Sequence, residues 1–549
     1  MARTLHARGY EAVAIAYLFS HQNPDHERRT AAIVRREAPG LYVSVSADIA
    51  PVQGEYERSA TALFNGYVGP VIDRYLARLE RSLADAGLRQ KLLIVQANGG
   101  LATVAQTVPI CTIESGPAAG VVGAAQVAAR LGHRDLIATD VGGTTFKVAV
   151  IQDGMWSHSS QTVLNQYQLR LPMIDVASIG AGGGSIAWVD GRRLRIGPRS
   201  ASARPGPACY GQGGTEPTVT DADVVLGYIS PERFLGGRMR LHADRAREAI
   251  RTRIAEPLFD GDVIAAAAGI RRVVDSQMAD LIRKSTLERG HDPRHFAMMA
   301  YGGAGPVHAA SYGREAGCTQ LVIPFFATVH SAYGAALSDI RFSLQFSEPI
   351  VLHDDPTRIE QIFADMEARG RRALAEADVP AGAQTLHRWV EARYRRQVHQ
   401  LRVPVPARVD VAALKTIAEA FEHEYERLFG AGSGLSDAGV ELINYGVDAV
   451  GAIDKPRWEA AEPGTAPPPT AMRAAYCPIR GTMIDTPVHD GPRLPPGTTI
   501  TGPAIIEHPG TTIVVLTGQT ARIDDWRHTH IAIGGEDAAT ASAGEARGR

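Results

Sequence analysis

The sequence is short of cysteine, of net charge and of long apolar runs, and each shortage excludes a class of protein. Its 549 residues include only four cysteines, with no C-x-x-C pair and no secretory leader, which argues against a disulfide-built secreted domain. A formal net charge of −2 offers no basic stripe for nucleic acid. No apolar run reaches the length that spans a bilayer. We expect a cytoplasmic protein with neither nucleic-acid nor membrane partners, and with buried free thiols at Cys111, Cys209, Cys318 and Cys477.

The length of the chain predicts several domains. A chain of 549 residues exceeds what one hydrophobic core usually spans. Residues 1–52 alternate strand and helix and are interpreted as the remnant of an N-terminal domain. Residues 53–345 form the predicted core domain, and residues 346–533 form a C-terminal α+β, β-rich domain with a Pro-rich linker at 456–469. The small, polar residues 534–549 are predicted to be disordered.

Several elements are predicted from periodicity. Strands are expected over Val13–Phe19 and Leu41–Val45, and a strand over Trp389–Leu401 lies between the helices Thr357–Ala377 and Val411–Leu428. A long helix is expected from residue 56 to residue 83. Its apolar residues recur every fourth position, which predicts one stripe facing the core. The stripe consists of Leu63, Tyr67, Val71, Tyr75 and Leu79.

The strongest chemical signal is the turn Asp-Val-Gly-Gly-Thr-Thr between two β-branched apolar runs. Gly142 and Gly143 can take backbone angles closed to other residues. The N–H groups of the turn and the hydroxyls of Thr144 and Thr145 can donate to phosphate oxygens. Asp140, at the end of the first strand, could hold Mg²⁺ or orient a water. An ordinary hairpin turn has a similar sequence, so the motif alone is a moderate signal.

A second glycine loop follows about 160 residues later. An apolar strand leads into Gly302, Gly303, Ala304 and Gly305, and Pro306 then suits the first turn of a helix. A strand, a glycine loop and a helix start bring backbone close to a nucleotide in α/β proteins. The two loops together therefore predict a nucleotide site more strongly than either does alone.

A third glycine loop, Ile179–Ser185, contains three consecutive glycines. Because glycine loses much backbone entropy on folding, an ordered loop of this kind needs a ligand or a close chain contact. A flexible surface loop remains the alternative interpretation.

The motifs, taken in order, resemble the hydantoinase A/5-oxoprolinase family. This family belongs to the α/β fold class shared by acetate kinase, sugar kinases, heat-shock ATPases and actin, which is ribonuclease H-like. The resemblance runs from about Glu11 to Ile533. It rests on YERSATALFNGYVGP, ESGPAAGVVGAA, DVGGTT, PMIDVASIGAGGGSIA, GPACYGQGGTEPTVTDAD, YGGAGPVHA and TGPAIIEHPGTT.

The resemblance implies ATP-dependent opening of a cyclic amide. One subunit phosphorylates the carbonyl oxygen of a hydantoin, oxoproline or lactam, and a B-type partner subunit completes hydrolysis. Related subunits serve ATP-dependent ketone carboxylases of the acetone and acetophenone type. The implied cofactors are ATP and Mg²⁺ or Mn²⁺, and the implied assembly is a hetero-oligomer.

The resemblance also implies a role for each motif. Asp140 would serve the metal or a water as the catalytic residue. The phosphate-binding residues would be Gly142, Gly143, Thr144 and Thr145, while Gly302, Gly303, Ala304 and Gly305 would face the adenosine. The loop at the substrate end would include Gly182, Gly183, Gly184 and Ser185, with Asp175 and Asp221 in polar roles.

Three departures from the family pattern stand out. Family members open with an Asp-x-Gly-Gly-Thr hairpin of their own, and none precedes Glu11 here. Lys147 lies where the family often has Asp, and strand alternation puts it on the face of Thr145, so it is a candidate phosphate contact or a solvated strand residue. The segment Phe325–His330 replaces a Pro/Gly-rich loop.

Three functional hypotheses remain open. The chain is the A-type subunit of a cyclic-amide hydrolase, the corresponding subunit of a ketone carboxylase, or a scaffold subunit that no longer turns over ATP. An incomplete first sheet would expose a strand edge and an apolar face. We therefore expect the isolated chain to be poorly soluble or to join a hetero-oligomer.

Overall fold

The computed structural model describes residues 1–352, 355–435 and 438–534, which form two compact units. Unit 1 comprises Met1–Val122, His158–Asp175 and Ala335–Lys455. Unit 2 comprises Gly123–Ser157, Val176–Gly334 and the described part of Pro456–Arg549. Both units are discontinuous in sequence, and the sequential domain boundaries given above stay a prediction. Apart from Gly534, the predicted disordered tail lies outside the described residues.

The α-helices range in length from three residues to 31 residues. None of those in the described ranges combines the length and the apolarity that crossing a membrane requires. In chain order they are α1 Ala2–Ala7, α2 Asp25–Glu37, α3 Ser46–Ile49, α4 Glu55–Asp85, α5 Ser115–Arg130, α6 Val219–Val225, α7 Ala243–Ile250, α8 Glu256–Leu258, α9 Val263–Leu287, α10 Gly305–Ala316, α11 His330–Leu337, α12 Thr357–Glu376 and α13 Val411–Phe429.

The strands of unit 1 and unit 2 alternate along the chain. In chain order they are β1 Ala12–Ile15, β2 Tyr42–Val45, β3 Leu93–Val95, β4 Leu101–Thr103, β5 Leu136–Val141, β6 Phe146–Gln152, β7 Met155–Trp156, β8 His158–Leu164, β9 Tyr167–Ile174, β10 Ala177–Ile179, β11 Ser185–Asp190, β12 Arg193–Ser200, β13 Ala297–Tyr301, β14 Gln320–Ile323, β15 Ile340–Val351, β16 Gln384–Tyr394, β17 Leu401–Val405, β18 Val440–Gly451, β19 Ala471–Cys477, β20 Thr482–Asp490, β21 Thr499–Thr501, β22 Ala504–His508, β23 Thr511–Val515, β24 Thr520–Ile523 and β25 Thr529–Ala532.

The main core of unit 1 lies between a sheet and two amphipathic helices. The sheet has the order β17-β16-β18-β15-β4-β3. Phe363 of α12 and Phe421 of α13 are fully buried against it, and Tyr445 of β18 packs in the same cluster. These helices match their predicted ranges to within one residue. The predicted strand Trp389–Leu401 is confirmed only to Tyr394, where β16 ends, and is wrong over residues 395–400, since β17 begins at Leu401.

The beginning of unit 1 is a parallel pair, β1-β2, between α2 and α4. Ile15 and Val45 of the strands are buried with Val34 of α2. The strand predicted over Val13–Phe19 stops at Ile15, and Phe19 has a positive φ of 57° that no strand accommodates.

The apolar stripe on α4 does not face the core, contrary to the prediction. Its members Leu63, Tyr67, Val71 and Tyr75 are between 50% and 81% exposed. The opposite side of α4 packs on β1 and β2 through small residues, and a Cβ atom on Gly69 would lie 2.4 Å from the Tyr42 ring. Periodic spacing identifies an apolar helix face but cannot say what covers it.

Unit 2 is built around a nine-stranded sheet. Its main order is β10-β6-β5-β13-β14-β25-β24-β21, and β7 extends β6. The strands β10, β6 and β5 are antiparallel neighbours, whereas β13 and β14 run parallel to β5. The carboxyl ends of β5 and β13 therefore meet at one edge of the sheet, which brings the two glycine loops that follow them together.

The C-terminal residues of unit 2 are rich in β-strands. Strands β19, β20, β22 and β23 form a second sheet, while β21, β24 and β25 join the large one. Residues 452–469 have no regular secondary structure, as the proline-rich sequence predicts. Of the four cysteines, all are free, three are buried and Cys111 is half-buried.

Candidate functional site

The phosphate-type hairpin joins β5 to β6 in unit 2. The Gly142 N–H donates to the carbonyl of Thr145 at 3.2 Å and closes the turn. Gly143 and Thr144 form the exposed tip, and a Cβ atom on Gly143 would meet nothing within 4 Å. The two residues of the tip are therefore accessible to a ligand.

Asp140 lies between a cation and a phenol. In the sheet it is opposite Lys147 of β6 on one side and opposite Tyr301 of β13 on the other. Burial raises the pKa of the Asp140 carboxyl, and the charge of Lys147 acts in the other direction. Burial and the Asp140 charge raise the pKa of Tyr301 well above its ordinary value. Lys147 is half-buried, and its charge acts on the carboxylate of Asp140 across the strand pair. Strand alternation predicts only that Lys147 shares a face with Thr145.

The second glycine loop closes directly over Asp140. Gly302 has a φ of +84°, and a Cβ atom there would lie 2.4 Å from Oδ1 of Asp140. The Gly302 N–H donates to the carbonyl of Ala327 at 2.8 Å, so the unusual segment Phe325–His330 holds this loop. The Ala304 N–H donates to the carbonyl of Val141 at 3.0 Å. Only glycine fits at position 302.

The third glycine loop is bonded to the tip of the hairpin. The N–H groups of Gly183 and Gly184 donate to the carbonyls of Gly142 and Gly143 at 3.1 and 2.6 Å. A Cβ atom on Gly182 would lie 2.7 Å from the Gly142 oxygen. Close chain contact therefore accounts for the three glycines. In the same loop, Ser185 Oγ accepts the Gly182 N–H at 2.9 Å.

The two predicted aspartates of the substrate end lie in different settings. Asp221 is fully buried and accepts hydrogen bonds from the N–H groups of Ala208, Cys209 and Thr218 and from the Thr218 hydroxyl, at 2.7 to 3.1 Å. These bonds fix the start of α6, which favours a structural role. Asp175 follows β9 in unit 1, outside the group of residues that unit 2 assembles. A substrate contact by either residue stays a prediction.

A buried ionic cluster lies at the first turn of α10 and was not predicted. His308 bonds Asp275 through Nδ1 at 2.6 Å and Asp223 through Nε2 at 3.0 Å. Arg271 donates to the other oxygen of Asp223 at 2.7 Å. Burial lowers the pKa of His308, but the charges of Asp223 and Asp275 outweigh it and raise the pKa to about 9. The cluster joins α6, α9 and α10 beneath the second glycine loop.

The turn between β22 and β23 also reaches the second glycine loop. The Thr511 hydroxyl donates to the carbonyl of Gly303 at 2.9 Å. Gly510 packs against Thr328. This turn belongs to the TGPAIIEHPGTT motif, and nothing in the sequence predicts its contact with the second glycine loop.

Unit 2 thus assembles most of the predicted site. The hairpin tip, Asp140, Lys147 and the loops at 182–185 and 302–305 form a connected set of contacts in unit 2, whereas Asp175 belongs to unit 1. Within the described ranges, no group of three or more His, Cys, Asp or Glu side chains could hold a metal ion unaided.

Comparisons with known proteins agree with the motifs. A family model described as hydantoinase/oxoprolinase matches residues 58–343, its C-terminal domain model matches 352–533, and its N-terminal region model matches 1–38. The caprolactamase subunit alpha of Pseudomonas jessenii is 36% identical, covering 94% of this chain and 75% of that protein. The acetophenone carboxylase gamma subunit of Aromatoleum aromaticum is 35% identical, covering 95% and 74%.

A solved structure shares the fold as well. The crystal structure of the ATP-dependent caprolactamase from Pseudomonas jessenii superposes with a TM-score of 0.87 at 34% sequence identity, covering 97% of this chain and 78% of that one. The mixed α/β architecture with several sheets is therefore common to both, and the resemblance carried by the motifs is confirmed.

Proposed function

Because the chain belongs to the hydantoinase/oxoprolinase family, we propose that unit 2 binds ATP and phosphorylates the carbonyl oxygen of a cyclic amide. The observation that carries the proposal is the meeting of three glycine loops at the carboxyl end of β5, where the second loop closes over Asp140 and the third bonds the tip of the hairpin. The proposal also assigns the large sheet of unit 2 to the actin-like fold class. The matched caprolactamase is described as ATP-dependent, which supports the nucleotide.

The chemistry explains why a phosphoryl group is needed. An amide carbonyl is a poor electrophile, and phosphorylating its oxygen turns a reluctant leaving group into a good one. A protein contributes to such a transfer mainly by positioning and by stabilising charge. The exposed donors of Gly143 and Thr144 would bind phosphate oxygens, and Lys147 would add positive charge beside Asp140.

The residues present fit a nucleotide with its metal. Mg²⁺ in such sites is held by one or two carboxylates together with substrate phosphates, and would neutralise charge on the transferring group. Asp140 supplies one carboxylate at the end of β5, and the hydroxyls of Thr144 and Thr145 lie on the turn that follows it. The raised pKa of Asp140 means that a bound cation would also favour its ionised form.

The second candidate function is that of a ketone carboxylase subunit. It is favoured by the acetophenone carboxylase gamma subunit, whose 35% sequence identity to this chain is close to the 36% of the caprolactamase subunit. Both relatives are named as subunits, which supports a hetero-oligomer with a B-type or carboxylase-type partner. A carbonyl oxygen is the phosphoryl acceptor in either case, so the same hairpin would serve both.

Calorimetric titration of Mg-ATP tests the nucleotide site. Wild type should bind, alone or with a co-purified partner, and Asp140→Asn should weaken binding at least about tenfold, the equivalent of about 1.4 kcal/mol. Asp153→Asn is the matched control, since Asp153 is an exposed carboxylate after the far end of β6. Equal affinities of wild type and Asp140→Asn would exclude Asp140 from the site.

Product analysis separates the two candidate functions. The complex would be supplied with ATP and either a lactam, hydantoin or oxoproline, or a ketone with bicarbonate. Phosphate release that depends on the cyclic amide supports the first function, whereas release that depends on both ketone and bicarbonate supports the second. If no phosphate is released with either set of substrates, both functions are contradicted.

A further inference from the structure

Helix α6 holds the third glycine loop through Thr220. The carbonyl of Gly183 accepts two hydrogen bonds from this residue, one from its N–H at 2.7 Å and one from its hydroxyl at 2.8 Å. Thr220 is 7% exposed, and both residues lie within unit 2. Gly183 also lies close to the second glycine loop, since a Cβ atom there would be 3.6 Å from the Cβ atom of Ala304. Thr220 therefore binds the third loop at the point where the three loops meet.

The hydrogen bonds of the third loop continue through peptide groups into the hairpin. The carbonyl of Gly183 and the N–H of Gly184 belong to one peptide group, and this N–H donates to the carbonyl of Gly143 at 2.6 Å. The carbonyl of Gly143 belongs in turn to the same peptide group as the N–H of Thr144. A continuous series of hydrogen bonds thus runs from the Thr220 hydroxyl to the tip of the hairpin.

Each bond in such a series strengthens the next. A carbonyl that accepts a hydrogen bond polarises its peptide group, so the N–H of that group becomes a better donor, above all where water is excluded. Gly183 and Gly184 are buried, whereas Gly143 and Thr144 are exposed at the tip. Within the described ranges the N–H of Thr144 donates to no carbonyl oxygen, which leaves it available to a phosphate oxygen.

We infer that Thr220 is a positioning residue for phosphoryl transfer: its hydroxyl fixes the carbonyl of Gly183 and thereby strengthens the N–H of Thr144 as a phosphate donor. The inference rests on the proposed function, because it needs the tip of the hairpin to bind phosphate. Thr220 acts only through the third loop, without contact with the phosphate. Its effect is greatest while negative charge develops on the transferring group, since a fixed donor then acts without reorganisation.

The series of bonds can be tested without a ligand. Thr220→Val has nearly the same size and keeps the N–H but lacks the hydroxyl, whereas Thr220→Ser keeps both donors. The carbonyl of Gly183 retains one donor in Thr220→Val, so no buried acceptor is left unpaired and the chain should fold. In protein labelled with ¹⁵N-threonine, the amide proton of Thr144 should shift upfield in Thr220→Val and keep its wild-type position in Thr220→Ser. An unchanged Thr144 signal in Thr220→Val would overturn the inference.

The rate of phosphate release tests the effect on the reaction. In the complex with its partner, Thr220→Val should lower kcat about tenfold, while the KM for the cyclic amide or ketone stays within about twofold. Thr220→Ser should restore kcat. Thr498→Val is the matched control, because the N–H and the hydroxyl of Thr498 also donate to a single carbonyl, that of Pro495. Thr498 precedes β21, at the opposite edge of the large sheet from β6 and β10, so its variant should match wild type.

The outcomes separate the inference from the proposed function. If wild type releases phosphate and Thr220→Val releases it at the same rate, the inference is overturned and the proposed function stands. A loss that Thr498→Val shares, or that Thr220→Ser does not restore, also overturns the inference. If wild type releases no phosphate with any of the substrates, the proposed function fails and the inference fails with it.

Discussion

Two buried histidines, one in each unit, are driven toward opposite charge states. His308 in unit 2 has its pKa raised to about 9, whereas His158 in unit 1 has its pKa lowered. Burial acts in the same direction on both, since it disfavours the charged imidazole. The difference lies in the neighbours. His308 bonds two carboxylates, while the charges of Arg402 and Arg341 around His158 outweigh Asp448.

Burial favours the neutral ring at both positions, and only the two carboxylates beside His308 outweigh it. In unit 2, Asp223 and Asp275 face His308 and Arg271, so a protonated imidazole completes a neutral set of four charges. In unit 1, a protonated imidazole would be a third cation beside one aspartate. The same residue type therefore acts as an ion in one core and as a neutral ring in the other.

Removing one carboxylate from the unit 2 cluster should have the largest effect. Asp223→Asn leaves Arg271 and His308 with Asp275 alone, and breaking a buried ion pair in this way costs about 3–5 kcal/mol of unfolding free energy. Urea unfolding measures it. Asp280→Asn removes an exposed carboxylate of α9 and should cost less than about 1 kcal/mol. Similar losses in the two variants would mean that the cluster is not a balanced ionic set.

The charge state of His308 can be tested by pH. A histidine whose pKa is higher in the folded chain stabilises the fold fully below its ordinary 6.5, and this contribution is lost as the pH rises through about 9. The loss should amount to about 3 kcal/mol. In His308→Gln the alkaline decline in stability should be smaller by that amount. Parallel curves for wild type and variant between pH 6.5 and 9 would show that His308 is not a cation.

His158 should give the opposite profile with a smaller effect. Its pKa is lowered by burial and by Arg402, so the unfolded chain takes up a proton below about 6.5 that the folded chain refuses. Stability should therefore fall as the pH drops below 6.5, and His158→Gln should reduce that acid decline. The measurement is urea unfolding at pH 5 and pH 7. If His158→Gln changed the stability at alkaline pH rather than at acid pH, the neutral state assigned to His158 would be wrong.

The smallest change in unfolding free energy is expected for an exposed aromatic residue. Tyr67→Lys on α4 should change the unfolding free energy by less than about 0.5 kcal/mol, because Tyr67 is 81% exposed. Thermal unfolding of wild type and variant measures the difference. A loss of several kcal/mol would restore the prediction that the stripe on α4 is part of the core.

The sequence could predict features that depend on residues close to one another along the chain. The turn around Gly142 and the loop at Gly302 follow β-branched strands, and local spacing placed both correctly. That the two loops meet is a finding of the structure, in which β5 and β13 are parallel neighbours and end at the same edge. The three-glycine loop was explained by close contact rather than by a ligand.

The features that sequence could not predict join distant residues. The partners of His308 lie 33 and 85 positions away, and Thr511 bonds Gly303 across 208 positions. No periodicity connects such residues. The stripe on α4 failed for another reason: spacing shows which residues share a face, but the small residues Gly66 and Gly69 on the other side decided which face packs on the sheet.

The closure of the third glycine loop on the hairpin has a consequence for how this protein can change. The bonds from Gly183 and Gly184 run from main chain to main chain, so they use only atoms that every amino acid except proline possesses. Positions 182 and 184 are restricted for another reason: a Cβ atom at either position would clash with the hairpin backbone. A saturation library should accept only glycine at these two positions. Side chains elsewhere around the loop contribute no atoms to these bonds, so they can vary without breaking the contact between the loop and the hairpin.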